Sequence, residues 1–170
     1  MNSSKIKVFT ELIKILDQEI GEYEKLTSIL EEKQNAIIKS DIDTLRSVVA
    51  DEQAEIKKIS GLIKERETTC RKALKDFAHK KEIKMSDIIE FSPTEVKDKL
   101  IKIRQVLLSN LERISRLNRE NEYLLNFSID FTRNMVNLLL DLDNETEKIY
   151  DSKGVKVAPT KCNKMLDFQI

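Results

Sequence analysis

The side chains that could support acid–base, nucleophilic or metal chemistry are few and scattered along this chain. Its 170 residues include one histidine, His79, and two cysteines, Cys70 and Cys162. A helical-bundle metal site needs a Glu-x-x-His pair on each of two facing helices, and a general base needs a partner within reach. His79 follows Asp76, Phe77 and Ala78 and so forms no such pair. We therefore predict no catalytic residues, no metal site, no cofactor and no enzymatic activity.

The cysteines and the apolar runs bear on the compartment. Cys70 falls on an apolar helix seam and Cys162 lies near the C-terminus, so a reducing compartment is the simpler interpretation than a disulfide framework. No stretch approaches the roughly 18 consecutive apolar residues of a membrane span, and the first residues enter an amphipathic helix without a cleavage site. We expect a cytoplasmic protein with no direct membrane insertion.

The composition favours long helices with charged outer faces. Charged residues make up 35% of the chain and hydrophobic residues 40%, with only 3 glycines and 2 prolines. Few helix breakers and many Lys, Glu and Leu residues are typical of long helices. The 30 Lys and Arg residues balance the 30 Asp and Glu residues. A balanced surface gives no electrostatic reason to expect nucleic acid as a partner.

Three long segments with apolar seams predict an all-α fold. We expect an antiparallel helical hairpin plus one long third helix in a coiled-coil-like bundle, because apolar residues recur at alternating spacings of three and four. The predicted helices span about 4–39, 42–80 and 93–148, in a bundle over 1–150 that is followed by a flexible C-terminal tail over 151–170. The first seam consists of Phe9, Ile13, Leu16, Ile20, Tyr23, Thr27, Leu30, Gln34 and Ile37.

The second seam mixes apolar and charged residues. It places Ile42 and Ile56 against the first helix, together with Glu52 and Arg66. Long charged side chains at such positions usually pair or extend toward water at the bundle edge, and we expect the same here.

The helix starts carry capping residues. Ser40 or Asp41 can cap the second helix, since both types accept a hydrogen bond from a free backbone N–H of the first turn. Ser92, Pro93 and Glu95 have the spacing of a capping box with proline at the first helical position, so we predict that the third helix begins there.

The third helix has a polar middle and an apolar end. Asn110, Asn118, Asn121 and Ser128 interrupt its seam, and we expect the asparagines to fix the helix register by hydrogen bonding to one another. At about 1.5 Å per residue this helix is roughly 80 Å long, against about 50–55 Å for the first two. The leucines near its C-terminal end would then lack cover within the chain, and an uncovered apolar stripe marks a partner site.

The order of these features resembles the FlgN family of flagellar type III export chaperones. The hairpin turn lies near residues 41–52, and residues 118–125 read N-R-E-N-E-Y-L-L, similar to the family's Asn-x-x-Asn-x-x-Leu-Leu run. Residues 150–154 read Y-D-S-K-G, similar to its Tyr-x-x-x-Gly ending. The shared positions are Asn118, Asn121, Leu124, Leu125, Tyr150 and Gly154.

The resemblance implies a cytosolic, non-enzymatic chaperone. Members of the family hold the C-terminal helical segments of hook-associated proteins, which form the hook–filament junction, and deliver them to the cytoplasmic domain of the export gate. Carried over by position, export-gate docking falls to Tyr150 and Gly154. The client-binding residues are then Met135, Leu138, Leu139, Leu142 and Ile149.

One alternative from another class stays open. The same seams suit a structural coiled-coil or tethering protein that homo-oligomerises. Light scattering distinguishes the two, because the structural protein would form a stable large oligomer. The sequence also leaves open which hook-associated protein is the client and whether the free protein forms a homodimer.

Overall fold

The predicted all-α fold is confirmed. The computed structural model describes residues 2–74 and 83–146, with side chains described for 5–74 and 83–140, and these ranges contain helices and no strand. Their helices are α1 (Asn2–Lys39), α2 (Ile42–Ala73), α3 (Met85–Glu90) and α4 (Thr94–Thr146). The chain divides into two compact units, Met1–Leu125 and Asn126–Ile170. The predicted tail, the end of the predicted second helix and His79 lie outside the described residues.

Hydrogen bonds at the end of α1 and at the start of α2 stabilise the turn between these two helices. Ser40 has a φ of 55°, and the amide N–H groups of Ser40 and Asp41 donate to the carbonyls of Ile37 and Ala36 at 3.1 and 2.9 Å. This pair of bonds satisfies the last free carbonyls of a helix. Asp41 then caps α2, because its carboxylate accepts from the Thr44 N–H at 3.0 Å. The prediction that Ser40 or Asp41 caps the second helix is thus confirmed for Asp41.

The start of α4 differs from the predicted capping box. The Ser92 hydroxyl donates to the Ile89 carbonyl at 2.8 Å, and the helix begins at Thr94. Ser92 therefore belongs to the turn that follows α3 rather than to the cap of α4. The residue types suit a cap, but a serine hydroxyl can equally bond a carbonyl three residues earlier when a helix ends just before it.

Ion pairs show the helix directions in the first unit. Lys33 pairs with Glu52 at 2.7 Å and Glu19 with Arg66 at 3.0 Å, so α1 and α2 are antiparallel. Pairing is what the sequence predicted for Glu52 and Arg66. Along α4 the partners on α1 rise with residue number, so these two helices are parallel. Those pairs are Asp17 with Lys99 and Glu31 with Arg113.

The core of the first unit is aliphatic and is shared by all four helices. The buried side chains come mainly from α1 and α4, with Ile59 and Cys70 from α2 and with Ile88 of α3 covering one end. The largest members with no exposed surface are Phe9, Leu12, Leu16, Leu30 and Leu100.

The prediction for the α2 seam was wrong at two positions. Ile42 and Ile56 are 56% and 47% exposed, whereas Glu55 is buried. The Lys58 ammonium donates to Glu55 at 2.9 Å, and a hydrogen bond shared with Glu55 is the main reason that the pKa of Glu22 lies below its usual value. Lys58, three residues along the same helix, thus offsets part of the cost of burying Glu55. The spacing had predicted that the next residue, Ile56, would be the buried one.

Candidate docking surface

The second unit presents a run of exposed apolar side chains along α4. Between residues 126 and 140 every residue is exposed except Ser128, which is half-buried. Eight of these residues are large and apolar, with exposed fractions between 40% and 60%. Exposed patches this dense are uncommon on monomeric proteins and mark binding surfaces. We call the surface formed by these eight residues the 127–140 face. Its members are Phe127, Ile129, Phe131, Met135, Val136, Leu138, Leu139 and Leu140.

The spacing that buries α4 in the first unit continues into this face. The buried positions are Leu100, Ile103, Leu107, Ile114, Leu117 and Asn121. The same steps of three and four lead on to Leu124, Ser128, Phe131, Met135 and Leu138. Such a pattern is typical of a helix that packs against other helices. In the described part of the second unit, however, no residue on this pattern is buried.

The face carries almost no charge. Residues 126–140 contain one acidic and one basic residue, Asp130 and Arg133, and these pair with each other at 3.3 Å on the exposed surface. The face therefore offers a partner apolar contacts rather than attraction to an anionic or cationic group. Among the described helices, none combines the length and the apolarity that crossing a bilayer requires.

The predicted client-binding residues divide by what the structure describes. Met135, Leu138 and Leu139 belong to the 127–140 face, with exposed fractions of 44%, 55% and 58%. Leu142 lies within α4, but its side chain is outside the described residues, as are Ile149, Tyr150 and Gly154 altogether. The assignment of these residues to client binding and gate docking stays a prediction.

Sequence reasoning left five members out of the predicted site. The site was limited to residues from Met135 onward, whereas the exposed run starts at Phe127. The aromatic pair Phe127 and Phe131, spaced by four, was the available signal, since residues four apart share one helix face. The other omitted residues are Ile129, Val136 and Leu140.

A polar contact joins α4 to α1 near the end of the first unit. Asn121 is 1% exposed, and its side-chain NH₂ donates to the Leu30 carbonyl at 2.9 Å. Asn118 is exposed, so the expectation that the asparagines bond to one another was wrong. A helix carbonyl retains a second acceptor site even when it is bonded within its helix, and Asn121 uses that site. The contact ties α4 to one position along α1.

A shallow groove lies beside this contact. It encloses about 370 Å³ and is lined by Gln34, Arg119, Glu120, Tyr123 and Leu124. Gln34 donates to Glu120 at 3.1 Å, and Tyr123 is 71% exposed.

The interior of the hairpin holds the titratable groups with the clearest shifts. Burial raises the pKa of the Glu19 carboxyl, and the Arg66 guanidinium opposes that rise. Burial also raises the pKa of the Cys70 thiol to about 11, which leaves almost no thiolate at neutral pH. Cys70 lies beside a cavity of about 490 Å³ between α2 and α3. Within the described ranges, no group of three His, Cys, Asp or Glu residues could hold a metal ion.

Over residues 1–158 the chain is similar to the family model described as FlgN protein. No curated protein and no solved structure matches it.

Proposed function

The chain belongs to the FlgN family of flagellar export chaperones, and from that premise we propose that its clients are hook-associated proteins. It binds the C-terminal helical segments of these hook–filament junction proteins through the 127–140 face. It holds them in the cytoplasm and delivers them to the cytoplasmic domain of the type III export gate.

The observation that supports this proposal is the exposure of eight large apolar side chains on one helical segment. A segment that becomes the core of an assembled filament must be amphipathic, and it would self-associate if it were left uncovered. An amphipathic helix is bound by laying its apolar face on another apolar helical surface, with anchors every three or four residues. The steps from Phe127 to Phe131, Met135 and Leu138 provide those anchors.

The expected affinity is moderate. Covering a side chain that is already half-buried by its own helix contributes about 1 kcal/mol, or roughly half of a full burial. Eight such contributions amount to about 8 kcal/mol on this side of the interface. Lost rotational freedom and the ordering of a disordered client offset on the order of 10 kcal/mol of the total gain from both partners. The gain from apolar burial thus exceeds the ordering cost only moderately, and a chaperone that must release its client at the gate requires such a moderate affinity.

Delivery is assigned to the C-terminal part of the chain. Tyr150 and Gly154 match the Tyr-x-x-x-Gly ending of the family, and we propose that they dock on the export gate after the client has been bound on α4. The proposal rests on sequence position, because both residues lie outside the described residues.

A binding measurement tests the client assignment. We expect a Met135→Ser/Leu138→Ser variant to bind purified hook-associated protein roughly 30-fold more weakly in isothermal titration calorimetry, since two anchors contribute about 2 kcal/mol together. The matched control is Asn134→Ser/Asn137→Ser, which changes the polar side of the same segment and should bind within about 2-fold of the unmodified chain. Equal binding by the two double variants would remove the 127–140 face from the proposal.

The same exposed face favours one second candidate, a self-assembling coiled-coil or tethering protein. An uncovered helix seam can pair with another copy of itself as readily as with a client. Light scattering at rising protein concentration separates the candidates, because a tether forms a stable oligomer without any client and a chaperone binds the hook-associated protein in a 1:1 complex.

A further inference from the structure

The 127–140 face is too wide for one partner helix. At 100° per residue its eight apolar side chains occupy an arc of roughly 220°, whereas a helix that packs on one side shows a stripe of roughly 100°. The opposite arc holds Asp130, Arg133, Asn134 and Asn137. A helix that is apolar over most of its circumference is normally covered on more than one side.

The eight side chains form two seams. Seam one consists of Phe127, Phe131, Met135 and Leu138, and seam two consists of Ile129, Val136 and Leu140. The centres of the seams are roughly 160° apart around the helix, so a straight helix lying on one seam cannot reach the other. Leu139 lies between them, on the side away from the polar arc. From these positions and from the proposed function, on which this inference rests, we propose that the face seats two helices of one client at the same time.

The area of each seam supports two helices rather than one. Each side chain is about half-exposed, which leaves roughly 90 Å² per residue for a large side chain. Seam one with its partner would bury roughly 700 Å² in total, within the range of incidental crystal contacts, whereas the seven residues of both seams would bury roughly 1,300 Å², as stable complexes do. A stable client complex therefore needs both seams.

A partner can cover the surface between the seams without leaving a hydrogen-bond donor unpaired. The Thr132 hydroxyl lies on this side of the helix and donates to the Ser128 carbonyl at 2.9 Å. A hydroxyl that is already bonded to its own helix can be desolvated at little cost. The two helices can therefore approach each other over Leu139 and Thr132 and form a three-helix arrangement with residues 126–140.

The absence of net charge identifies the kind of helix. Asp130 and Arg133 compensate each other, and neither belongs to a seam. Seam one also continues the three-four spacing that packs α4 against other helices in the first unit, from Leu100 to Asn121. The two client helices should thus present uncharged apolar stripes with the same spacing, as bundle helices do.

Site-specific crosslinking tests the proposal. The photoreactive residue p-benzoylphenylalanine replaces Phe131 in seam one, Val136 in seam two, or Asn137 on the polar arc, and each protein is irradiated with a full-length hook-associated protein from the same genome. Mass spectrometry locates the crosslinks. We expect positions 131 and 136 to crosslink to two different helical segments of the client and position 137 to give at least 10-fold less product.

The outcomes distinguish this inference from the proposed function. Crosslinks from both seams to the same client segment, a crosslink from seam one alone, or a seam-two crosslink to a second copy of this chain would each overturn the two-helix arrangement while leaving a chaperone role intact. Failure to form any complex in size-exclusion chromatography would overturn the proposed function itself. As a second readout, Val136→Ser should weaken client binding by roughly 5-fold, and Leu138→Ser should weaken it by the same factor.

Discussion

Removing Arg66 should expose the cost of the buried carboxylate that it neutralises. Glu19 is 1% exposed, and the Arg66 Nε lies 3.0 Å from its Oε1. An Arg66→Met variant leaves Glu19 buried without a cation. Breaking a buried pair from one side destabilises a protein by about 3–5 kcal/mol. Because Arg66 is 28% exposed and water can reach the site, we expect the lower end, about 3 kcal/mol at pH 7.

The loss should depend on pH in a defined direction. Burial already raises the pKa of Glu19 above 4.5 and Arg66 opposes the rise, so the pKa rises further when Arg66 is removed. In the window above pH 4.5 the folded state then holds a proton that the unfolded state has released. Stability of the variant therefore falls as the pH rises through that window. The deficit relative to the unmodified chain should therefore be smaller near pH 4.5 than at pH 7.5.

Urea denaturation followed by circular dichroism at 222 nm measures both effects. A Glu19→Leu/Arg66→Met variant serves as the control, because an apolar pair in place of a buried ion pair is usually neutral or stabilising. It should recover the stability at pH 7.5 and lose the pH dependence. A deficit below about 1 kcal/mol in the single variant, or a deficit equal at pH 4.5 and 7.5, would refute the reasoning.

Two further predictions concern the hairpin. With Cys162→Ser present, iodoacetamide at pH 8 should modify Cys70 at least roughly 100-fold more slowly in the folded chain than in urea, because its pKa of about 11 and its burial both suppress the thiolate; equal rates would contradict this. At the turn, Asp41→Ala should lower the free energy of unfolding by about 1 kcal/mol through loss of the cap on α2, whereas Ser40→Gly should raise it by roughly 0.5–1 kcal/mol, because glycine adopts a φ of 55° without strain. Thermal and urea unfolding measure both changes, and a reversed sign at either position would contradict the account of the turn.

The sequence predicts the helices well because their seams are long and regular. The α1 seam from Phe9 to Ile37 keeps one alternation throughout, and its apolar members are buried apart from Ile20, which is half-buried. A sustained recurrence of apolar residues at spacings of three and four indicates an amphipathic helix, whatever that helix packs against.

The sequence predicts the buried face of α2 less well, because a charged residue is buried there in place of an apolar one. A pattern of apolar residues favours Ile56, but Glu55 is buried instead, beside Lys58 and Glu22. Lys58 lies three residues along the same helix from Glu55, but Glu22 lies on α1 and is brought close only by the fold. The same holds for Asn121, whose partner is a backbone carbonyl 91 positions away in sequence. Spacing alone identifies a polar seam residue but not the group that it bonds.

The exposed 127–140 face could be predicted in part. Length alone implied that leucines near the end of α4 lack cover, and Leu138 and Leu139 are exposed. The upstream extent to Phe127 and the division into two seams were not predicted, because the sequence does not show where the packing of α4 in the first unit ends. The family resemblance supplied the client class and the role of Tyr150, neither of which follows from helix geometry.

The central claim is that the 127–140 face binds the client, and hydrogen–deuterium exchange tests it most directly. Exchange at the amides of residues 126–140 should be fast in the free protein, since the segment is exposed, and at least 10-fold slower when full-length hook-associated protein is added. Amides of the buried seam in α1 should not change. Protection confined to the first unit, with exchange of residues 126–140 unaltered by the bound client, would contradict the account.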